Sequence, residues 1–312
     1  MVKNKLLYFA SGAASVIVLA VILNFTYEDA IKSINPFPQS YKIVTPAIPK
    51  NLNFCGESVP IYNIEVRERI EREFIVNTYW HSATLLLLKN ANRWFPVIEP
   101  ILKRNGIPDD FKYMSMIESN LTNAVSPAGA VGFWQLMKAS ADRYKLEVND
   151  EIDERYNVEK STEAACKYLK ESYEKYGNWT MSAGSYNMGI NGVSTQMERQ
   201  KSDNYYNLVM NEETSRFVAR IISMKYIHQN PENYGFDINE SDLYPQFKTK
   251  NVVVNYKVEH WADFAKENGI NYKTLKYFNP WLRDNFLTNK ENKTYEIKIP
   301  AQGTFKLINE SK

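Results

Sequence analysis

Apolar side chains at helical spacing run through most of this 312-residue chain and limit its fold more than any other feature. From Val66 onward they recur every three or four residues, as at Ile70 and Phe74, which is typical of helices that bury one face. The same spacing predicts further helices at 85–102, 161–176, 179–183 and 213–229. This region spans about 180 residues, which is enough for one hydrophobic core. We therefore predict a mainly α fold.

After Phe236 the sequence changes character. The alternation of apolar and polar residues predicts strands at 252–258 and 295–300, separated by short helices at 261–268 and 272–278. The order β-α-α-β within about 50 residues predicts a second, small domain.

The amino terminus predicts the compartment. Lys3 and Lys5 precede residues 6–25, which carry no charge, and 20 such residues can span a bilayer as a helix. The positive flank places the rest of the chain outside the cytoplasm. An uncleaved anchor is favoured over a removed signal peptide because no Ala-x-Ala cleavage site follows Phe25. The proline-containing residues 31–58 are predicted to form an extended linker.

One glutamate lies where ordinary surface acids do not. If the stretch 111–121 is helical, Glu118 follows Met114 by four residues and precedes Leu121 by three, on the stripe that faces the core. Burial disfavours the charged carboxylate and raises its pKa. Glu118 is therefore predicted to donate a proton near neutral pH. The alternative is a glutamate at the helix edge that reaches back to water.

Two glycine-punctuated segments follow, 129–135 and 185–192, and both carry aromatic and amide side chains. Aromatic rings stack on sugar faces, and amides form hydrogen bonds with hydroxyl and acetamido groups. The combination favours a carbohydrate site, although each segment alone also fits a loop between helices with a core tryptophan.

Together and in this order, the pairs Glu118–Ser119 and Tyr186–Asn187 and the segment 132–135 resemble the lytic transglycosylases of glycoside hydrolase family 23, closest to their membrane-bound D type. The resemblance runs from about residue 56 to residue 236. It implies a lysozyme-like helical domain that cleaves peptidoglycan between N-acetylmuramic acid and N-acetylglucosamine and leaves a 1,6-anhydro sugar. We expect no cofactor and no metal.

The resemblance assigns roles to individual residues. It makes Glu118 the general acid and then the base, and it makes Ser126, Gln135, Tyr186 and Asn187 substrate-binding residues. The family's usual Gly-Leu-Met-Gln reads Gly-Phe-Trp-Gln in residues 132–135, which is expected to enlarge the wall of the site. Phe217 lacks a hydroxyl that many relatives place nearby, so we leave it off the catalytic list.

Most glycosidases use two carboxylates, about 5 to 9.5 Å apart. Candidate partners for Glu118 are Asp109, Asp110, Asp142 and the acidic run 150–154. Helix N-capping accounts for the first two, and the acidic run is typical of a solvated loop. We therefore predict chemistry with one carboxylate. A hydrolase of the same fold and a membrane-tethered, non-catalytic wall-binding protein remain as alternatives.

Other functional classes find little support. The three histidines are far apart and the chain has no Cys-x-x-Cys pair, which argues against a zinc site. The chain has 38 basic and 36 acidic residues, a balance that does not favour nucleic acid. Cys55 and Cys166 could form one bridge outside the cytoplasm or could be two buried small side chains.

The small C-terminal domain resembles a LysM module, best at Leu275, at Asn279–Pro280 and in the closing strand. The resemblance implies binding of glycans that contain N-acetylglucosamine, and a structural appendage is the alternative. The domain plan combines these predictions: residues 1–30 anchor or signal segment, 31–58 linker, 59–236 lysozyme-like transglycosylase domain, 237–250 linker, 251–301 LysM-like domain and 302–312 tail. The predicted location is the extracytoplasmic side of the bacterial envelope.

Overall fold

A computed structural model describes residues 42–301 and residue 304. In this part of the chain the α-helices are α1 (Ile64–Tyr79), α2 (His81–Arg104), α3 (Lys112–Ser119), α4 (Lys138–Arg143), α5 (Val158–Tyr176), α6 (Trp179–Met188), α7 (Ile190–Gln200), α8 (Glu212–Gln229), α9 (Trp261–Glu267) and α10 (Tyr272–Phe278). The strands are β1 (Asn53–Phe54), β2 (Glu57–Ser58), β3 (Thr249–Val254) and β4 (Tyr295–Pro300). The predicted mainly α fold is confirmed.

Asparagine side chains fix where several helices begin. Asn157 accepts a hydrogen bond from the backbone N–H of Lys160 (3.1 Å), so α5 begins three residues before the predicted start. Asn178 caps α6 in the same way. Helix α6 continues past its predicted end to Met188 and stops at Gly189, whose φ of +87° is incompatible with the helix.

The core of the helical domain is built around the short helix α3. It packs against α2 and α8, while α6 packs against α5 and α8. Seven of the eight residues of α3 are buried: Lys112, Tyr113, Met114, Ser115, Met116, Ile117 and Ser119. Glu118 is the exception. A helix this short and this enclosed is held by its neighbours, since eight residues are too few for a stable isolated helix.

The hairpin of β1 and β2 corrects the predicted linker. These strands pair antiparallel, and Phe54 is fully buried, with its ring 5.3 Å from the ring of Phe111 in an edge-to-face arrangement. Lys225 also donates a hydrogen bond to the side chain of Asn53 (3.1 Å). The linker prediction for 31–58 is therefore wrong at its C-terminal end, because an aromatic side chain there fills the helical core.

The C-terminal domain has the predicted β-α-α-β order. Strands β3 and β4 pair antiparallel from Thr249 opposite Pro300 to Val254 opposite Tyr295. Trp261, Leu275 and Ile297 fill the space between the sheet and helices α9 and α10. The first strand begins and ends earlier than predicted, at Thr249 and Val254, because these are the residues that pair with the two ends of β4.

The acidic run 150–154 joins the two domains and is not a solvated loop. The backbone N–H of Asp153 donates to the carbonyl of Trp281 (2.9 Å), and the Glu151 carboxylate accepts from the backbone N–H of Thr288 (2.7 Å). Ile152 is buried in the hydrophobic cluster of the C-terminal domain. The solvated-loop prediction is wrong because the run pairs with backbone groups of Trp281 and Thr288, more than 100 residues later in the chain.

Residues 237–250 contact helix α2. The side chains of Asn92 and Arg93 donate to the carbonyls of Tyr244 and Pro245, each at 3.0 Å. The Arg93 guanidinium also lies 4.2 Å from the centre of the Phe247 ring, a cation–π contact. This connection is therefore attached to the helical domain at residues 244–247.

Among residues 42–301, no helix combines the length and the apolar character needed to cross a bilayer. The predicted anchor at residues 6–25 and most of the predicted tail at 302–312 lie outside the described residues.

Candidate active site

Glu118 lies at the C-terminal end of α3 and is the one residue of that helix that reaches the surface. The chain turns sharply after it, with left-handed backbone at Asn120 (φ 56°) and Leu121 (φ 53°). Met114, four residues before Glu118, and Leu121, three residues after it, are both buried. The apolar stripe predicted from the sequence therefore faces the core. Glu118 is therefore held at the edge of the core by a helix whose other residues are buried.

Burial raises the pKa of Glu118 from 4.5 to about 7, and two neighbours modify this effect. The Arg220 guanidinium favours the carboxylate and lowers the pKa, whereas the Glu213 carboxylate raises it. A carboxyl group with a pKa near 7 exchanges its proton at neutral pH, as a general acid and base must. The predicted raised pKa is supported, and its main cause is the predicted one.

The loop 124–136 is folded on itself beside α3. Val131 forms backbone bridges with both Val125 and Leu136, and the N–H of Gly132 donates to the carbonyl of Ala124 (2.9 Å). Gln135 has a left-handed backbone (φ 45°). A left-handed backbone at a residue other than glycine persists only where the surrounding structure holds it in place. The loop 124–136 therefore has a defined conformation.

Ser126 and Gln135 both belong to this loop. The hydroxyl of Ser126 accepts from the backbone N–H of Ala130 (3.0 Å). The amide nitrogen of Gln135 donates to the carbonyls of Gly132 (2.9 Å) and Ala124 (3.1 Å). Both side chains thus shape the loop, and their contact with substrate stays a prediction.

Two hydroxyl groups attach the loop to the helices around Glu118. Ser119 donates to the carbonyl of Phe133 (3.0 Å), and Tyr186 donates to the carbonyl of Trp134 (2.6 Å). Burial raises the pKa of Tyr186, and the charge of Glu118 adds to this effect. Tyr186 therefore lies within electrostatic range of Glu118, and its contact with substrate stays a prediction.

Asn187, next along α6, points to helix α8. Its amide nitrogen donates to Glu213 (2.9 Å), and its carbonyl oxygen accepts from the hydroxyl of Thr214 (2.6 Å). Asn187 thus orients a carboxylate that acts on the pKa of Glu118. It joins the same constellation as Glu118 and Tyr186.

Glu213 and Arg220 are site residues that the sequence argument did not assign. Arg220 donates to the carbonyl of Ile117 (3.0 Å) across 103 positions of sequence, and both residues influence the pKa of Glu118. They lie seven residues apart, two turns of α8, on one face. Opposite charges at that spacing were the available signal, and Glu212, Arg216 and Lys225 on the same helix made it weak.

Asp109 and Asp110 take part in ion pairs away from this site. Asp110 accepts from the backbone N–H of Cys55 (2.6 Å) and from Lys225 (2.8 Å), and Asp109 pairs with Lys112 (2.6 Å). Neither forms the predicted capping bond to its own helix, because each carboxylate has a cationic partner. Neither serves as a second carboxylate for Glu118.

The aromatic pair at 133–134 also differs from its prediction. Phe133 and Trp134 are buried, and the indole nitrogen of Trp134 donates to the hydroxyl of Thr162 (2.8 Å). Their large side chains fill the core under the loop and do not enlarge the wall of the site. Phe217 is buried as well.

The two cysteines are free thiols, Cys166 buried and Cys55 partly buried. Burial raises the pKa of both thiols, so neither is prepared as a nucleophile. Within residues 42–301, no group of histidine, cysteine and carboxylate side chains has a geometry that could hold a metal ion.

Glu118 thus lies at the edge of a helical core, beside the folded loop 124–136. Residues 96–209 match the family described as "Transglycosylase SLT domain", and residues 250–303 match "Soluble lytic transglycosylase C-terminal LysM-like domain". The chain therefore carries an SLT domain followed by a LysM-like domain, and the resemblance noted from the sequence is confirmed.

Among individual proteins, the chain is homologous to membrane-bound lytic murein transglycosylase D of Escherichia coli strain K12, with 25% identity over 231 residues. The match covers 72% of this chain and 50% of that relative, and the protein of the same name from E. coli O6:H1 gives the same values. A tributyltin chloride resistance protein of Alteromonas sp. strain M-1 is 30% identical over 95 residues, which are 30% of this chain and 45% of that protein. The chain spans about half the length of these relatives.

Proposed function

We propose that this protein is a peptidoglycan lytic transglycosylase that cleaves the bond between N-acetylmuramic acid and N-acetylglucosamine. The observation that carries the proposal is the raised pKa of Glu118, which burial brings to about 7. Glu118 lies within the residues that match the SLT domain. The name of the E. coli relative, a lytic murein transglycosylase, supports the same reaction.

In the proposed mechanism Glu118 acts twice. As the neutral acid it donates its proton to the glycosidic oxygen while the bond from that oxygen to C1 breaks. The acetamido group of the substrate stabilises the positive charge on C1, as in substrate-assisted glycosidases. The Glu118 carboxylate then takes the proton of the C6 hydroxyl as O6 bonds to C1, so no water is consumed. A pKa near 7 keeps both forms of Glu118 accessible at neutral pH.

The neighbours of Glu118 support both steps. Arg220 stabilises the carboxylate that forms after the first proton transfer, because its positive charge lowers the pKa. Tyr186 and the loop residues Ser126 and Gln135 line the sugar-binding side, and Asn187 holds Glu213 in place. These roles rest on the position of the residues in the constellation and on the family pattern.

A hydrolase that uses the same glutamate is the second candidate, and Glu213 is the observation that favours it. Its carboxylate is close enough to raise the pKa of Glu118, and a second carboxylate can activate water in glycosidases. The hydrogen bond from Asn187 occupies one oxygen of Glu213. This favours an electrostatic role for the Glu213 carboxylate over activation of water.

We place the protein on the extracytoplasmic side of the bacterial envelope, with peptidoglycan glycan strands as its partner. The uncharged residues 6–25 after Lys3 and Lys5 support attachment to a membrane.

The test is to incubate the full chain, kept in mild detergent, with purified peptidoglycan and to analyse the released muropeptides by mass spectrometry. We expect 1,6-anhydro products and a loss of about 10²- to 10⁴-fold in their rate for Glu118→Gln, the range for removal of a general acid. Glu198→Gln, an exposed change on α7, is the control.

Products heavier by one water that also disappear in Glu213→Gln would identify a hydrolase. Unchanged cleavage in Glu118→Gln would reject the proposed acid, and folded parent protein that releases no product would indicate a binding role.

A further inference from the structure

We propose that Arg155 is a positioning residue for the loop 124–136, and that the C-terminal domain holds Arg155 in place through Asp153. The expected effect of Arg155 on substrate binding rests on the proposed function, whereas its effect on the loop does not. Arg155 and Asp153 are almost fully buried, with 11% and 10% of their side chains exposed. A charged pair with so little access to water is held by specific partners.

The guanidinium of Arg155 bonds in two directions. Its Nε and Nη2 atoms donate to the two carboxylate oxygens of Asp153 at 2.9 and 2.7 Å. Its Nη1 atom donates to the carbonyls of Gly129 and Leu136, both at 3.3 Å. Because these two carbonyls lie seven residues apart in one loop, a single side chain joins both ends of the segment that carries Gln135.

The backbone of residue 155 also touches the loop. A Cβ atom added to Gly132 would lie 2.2 Å from the carbonyl oxygen of Arg155, and Gly132 has a φ of +78°. Only glycine permits both this close approach and this backbone. The loop is therefore seated directly on the segment 153–156, so a displacement of that segment would be passed to the loop.

The C-terminal domain fixes the other side of this segment. Besides the bond from Asp153 to Trp281, the backbone N–H of Arg283 donates to the carbonyl of Glu151 (2.8 Å). Val131, from the middle of the loop, is buried in the same hydrophobic cluster as the residues of the C-terminal domain. The loop beside Glu118 thus packs on one domain and is anchored by hydrogen bonds in the other.

Loss of Arg155 should loosen the loop while leaving Glu118 in its environment, since Glu118 belongs to α3. Arg155→Met removes the charge and every side-chain donor, and leaves the buried Asp153 carboxylate without its cationic partner. Arg155→Lys keeps the charge but lacks the planar fork that reaches both the carboxylate and the carbonyls. Lys160→Met is the matched control, because Lys160 pairs with Glu154 of the same acidic run.

The experiment uses the full chain in detergent and two measurements. Hydrogen exchange by mass spectrometry of peptides covering 124–136 should be about tenfold faster in Arg155→Met, intermediate in Arg155→Lys and unchanged in Lys160→Met. With a soluble peptidoglycan glycan of defined length, KM should rise by about tenfold in Arg155→Met while kcat and its pH profile change little.

Unchanged exchange in Arg155→Met would overturn the proposal, as would equally accelerated exchange in α3, which would indicate general destabilisation. A fall in kcat without a rise in KM would also contradict a positioning role. If the parent chain is inactive, the proposed function fails and the exchange measurement still decides the role of Arg155.

Discussion

At the scale of single residues, Glu118 lies at the boundary between the apolar core and a group of charged side chains. Its neighbours along α3 are buried in the core, whereas its carboxyl group is partly exposed and lies within electrostatic range of Glu213 and Arg220. The raised pKa is the result, because desolvation outweighs the attraction of one guanidinium. Burial of this residue therefore makes the stability of the protein depend on pH, and the same raised pKa is the basis of the catalytic role that we propose for it.

Glu118→Gln is expected to become more stable relative to the parent chain as pH rises. The pKa of Glu118 is higher in the folded state, so its favourable contribution is fully present below pH 4.5 and is lost as pH rises through about 7. The shift corresponds to an upper value on the order of 3 kcal/mol at pH 8, and glutamine avoids this loss. Thermal unfolding at pH 5 and pH 8 measures the difference in Tm between the two chains.

The exposed change Glu198→Gln controls for the loss of one negative charge. A Tm difference that is the same at both pH values would show that Glu118 has an ordinary pKa in the folded protein.

At the scale of elements, the hairpin β1–β2 shows how a short segment becomes part of a core. Its two strands contribute two residues each, too few to be stable alone. Phe54 inserts beside Phe111, and Glu57 accepts hydrogen bonds from the first backbone N–H groups of α6 at Trp179 and Thr180. The hairpin therefore completes the helical domain and caps one of the helices that carry the site.

Phe54→Ala is expected to destabilise the protein by about 3–5 kcal/mol, the cost of removing a buried aromatic side chain. Ile43→Ala, which changes a side chain that is 78% exposed, should alter stability by less than about 0.5 kcal/mol. Urea unfolding measures both, and the midpoint should fall for Phe54→Ala with little change in slope. Equal midpoints for the two variants would show that residues 53–58 do not stabilise the core and form part of the linker.

At the scale of the whole molecule, the LysM-like domain is docked on the SLT domain. Its loop at 281–288 bonds to the acidic run, and the Arg283 guanidinium lies 4.1 Å from the centre of the Tyr156 ring. A domain on a flexible tether raises the effective concentration of its neighbour near a ligand. A docked domain also adds to the stability of its neighbour, whether it binds glycan or serves only as a structural appendage.

Removal of residues 248–312 is expected to lower the Tm of the remaining chain by several degrees. It would expose Val131, Ile152 and Tyr156, which are buried in the shared cluster, and each exposed apolar side chain costs about 1.5–3 kcal/mol. Calorimetry compares this chain with one that lacks only residues 305–312. An unchanged Tm would show that the C-terminal domain is only tethered.

The sequence by itself determined the features that local pattern controls. Apolar spacing of three to four residues predicted the long helices but not α4 or α7, alternation predicted β3 and β4, and the stripe through Glu118 predicted its raised pKa. Boundaries shifted by a few residues where an asparagine cap or a glycine was overlooked, as at Asn157 and Gly189.

Only the tertiary structure decided which distant segments meet. Arg220 reaches Ile117 across 103 positions, Phe54 enters a core formed mainly by later helices, and the acidic run bonds to the C-terminal domain. None of these contacts leaves a periodic trace, because a charged or aromatic side chain has the same local pattern whether its partner is water or a distant segment. Long-range packing and ion pairing therefore set the electrostatic surroundings of Glu118, while local periodicity set its place on the helix.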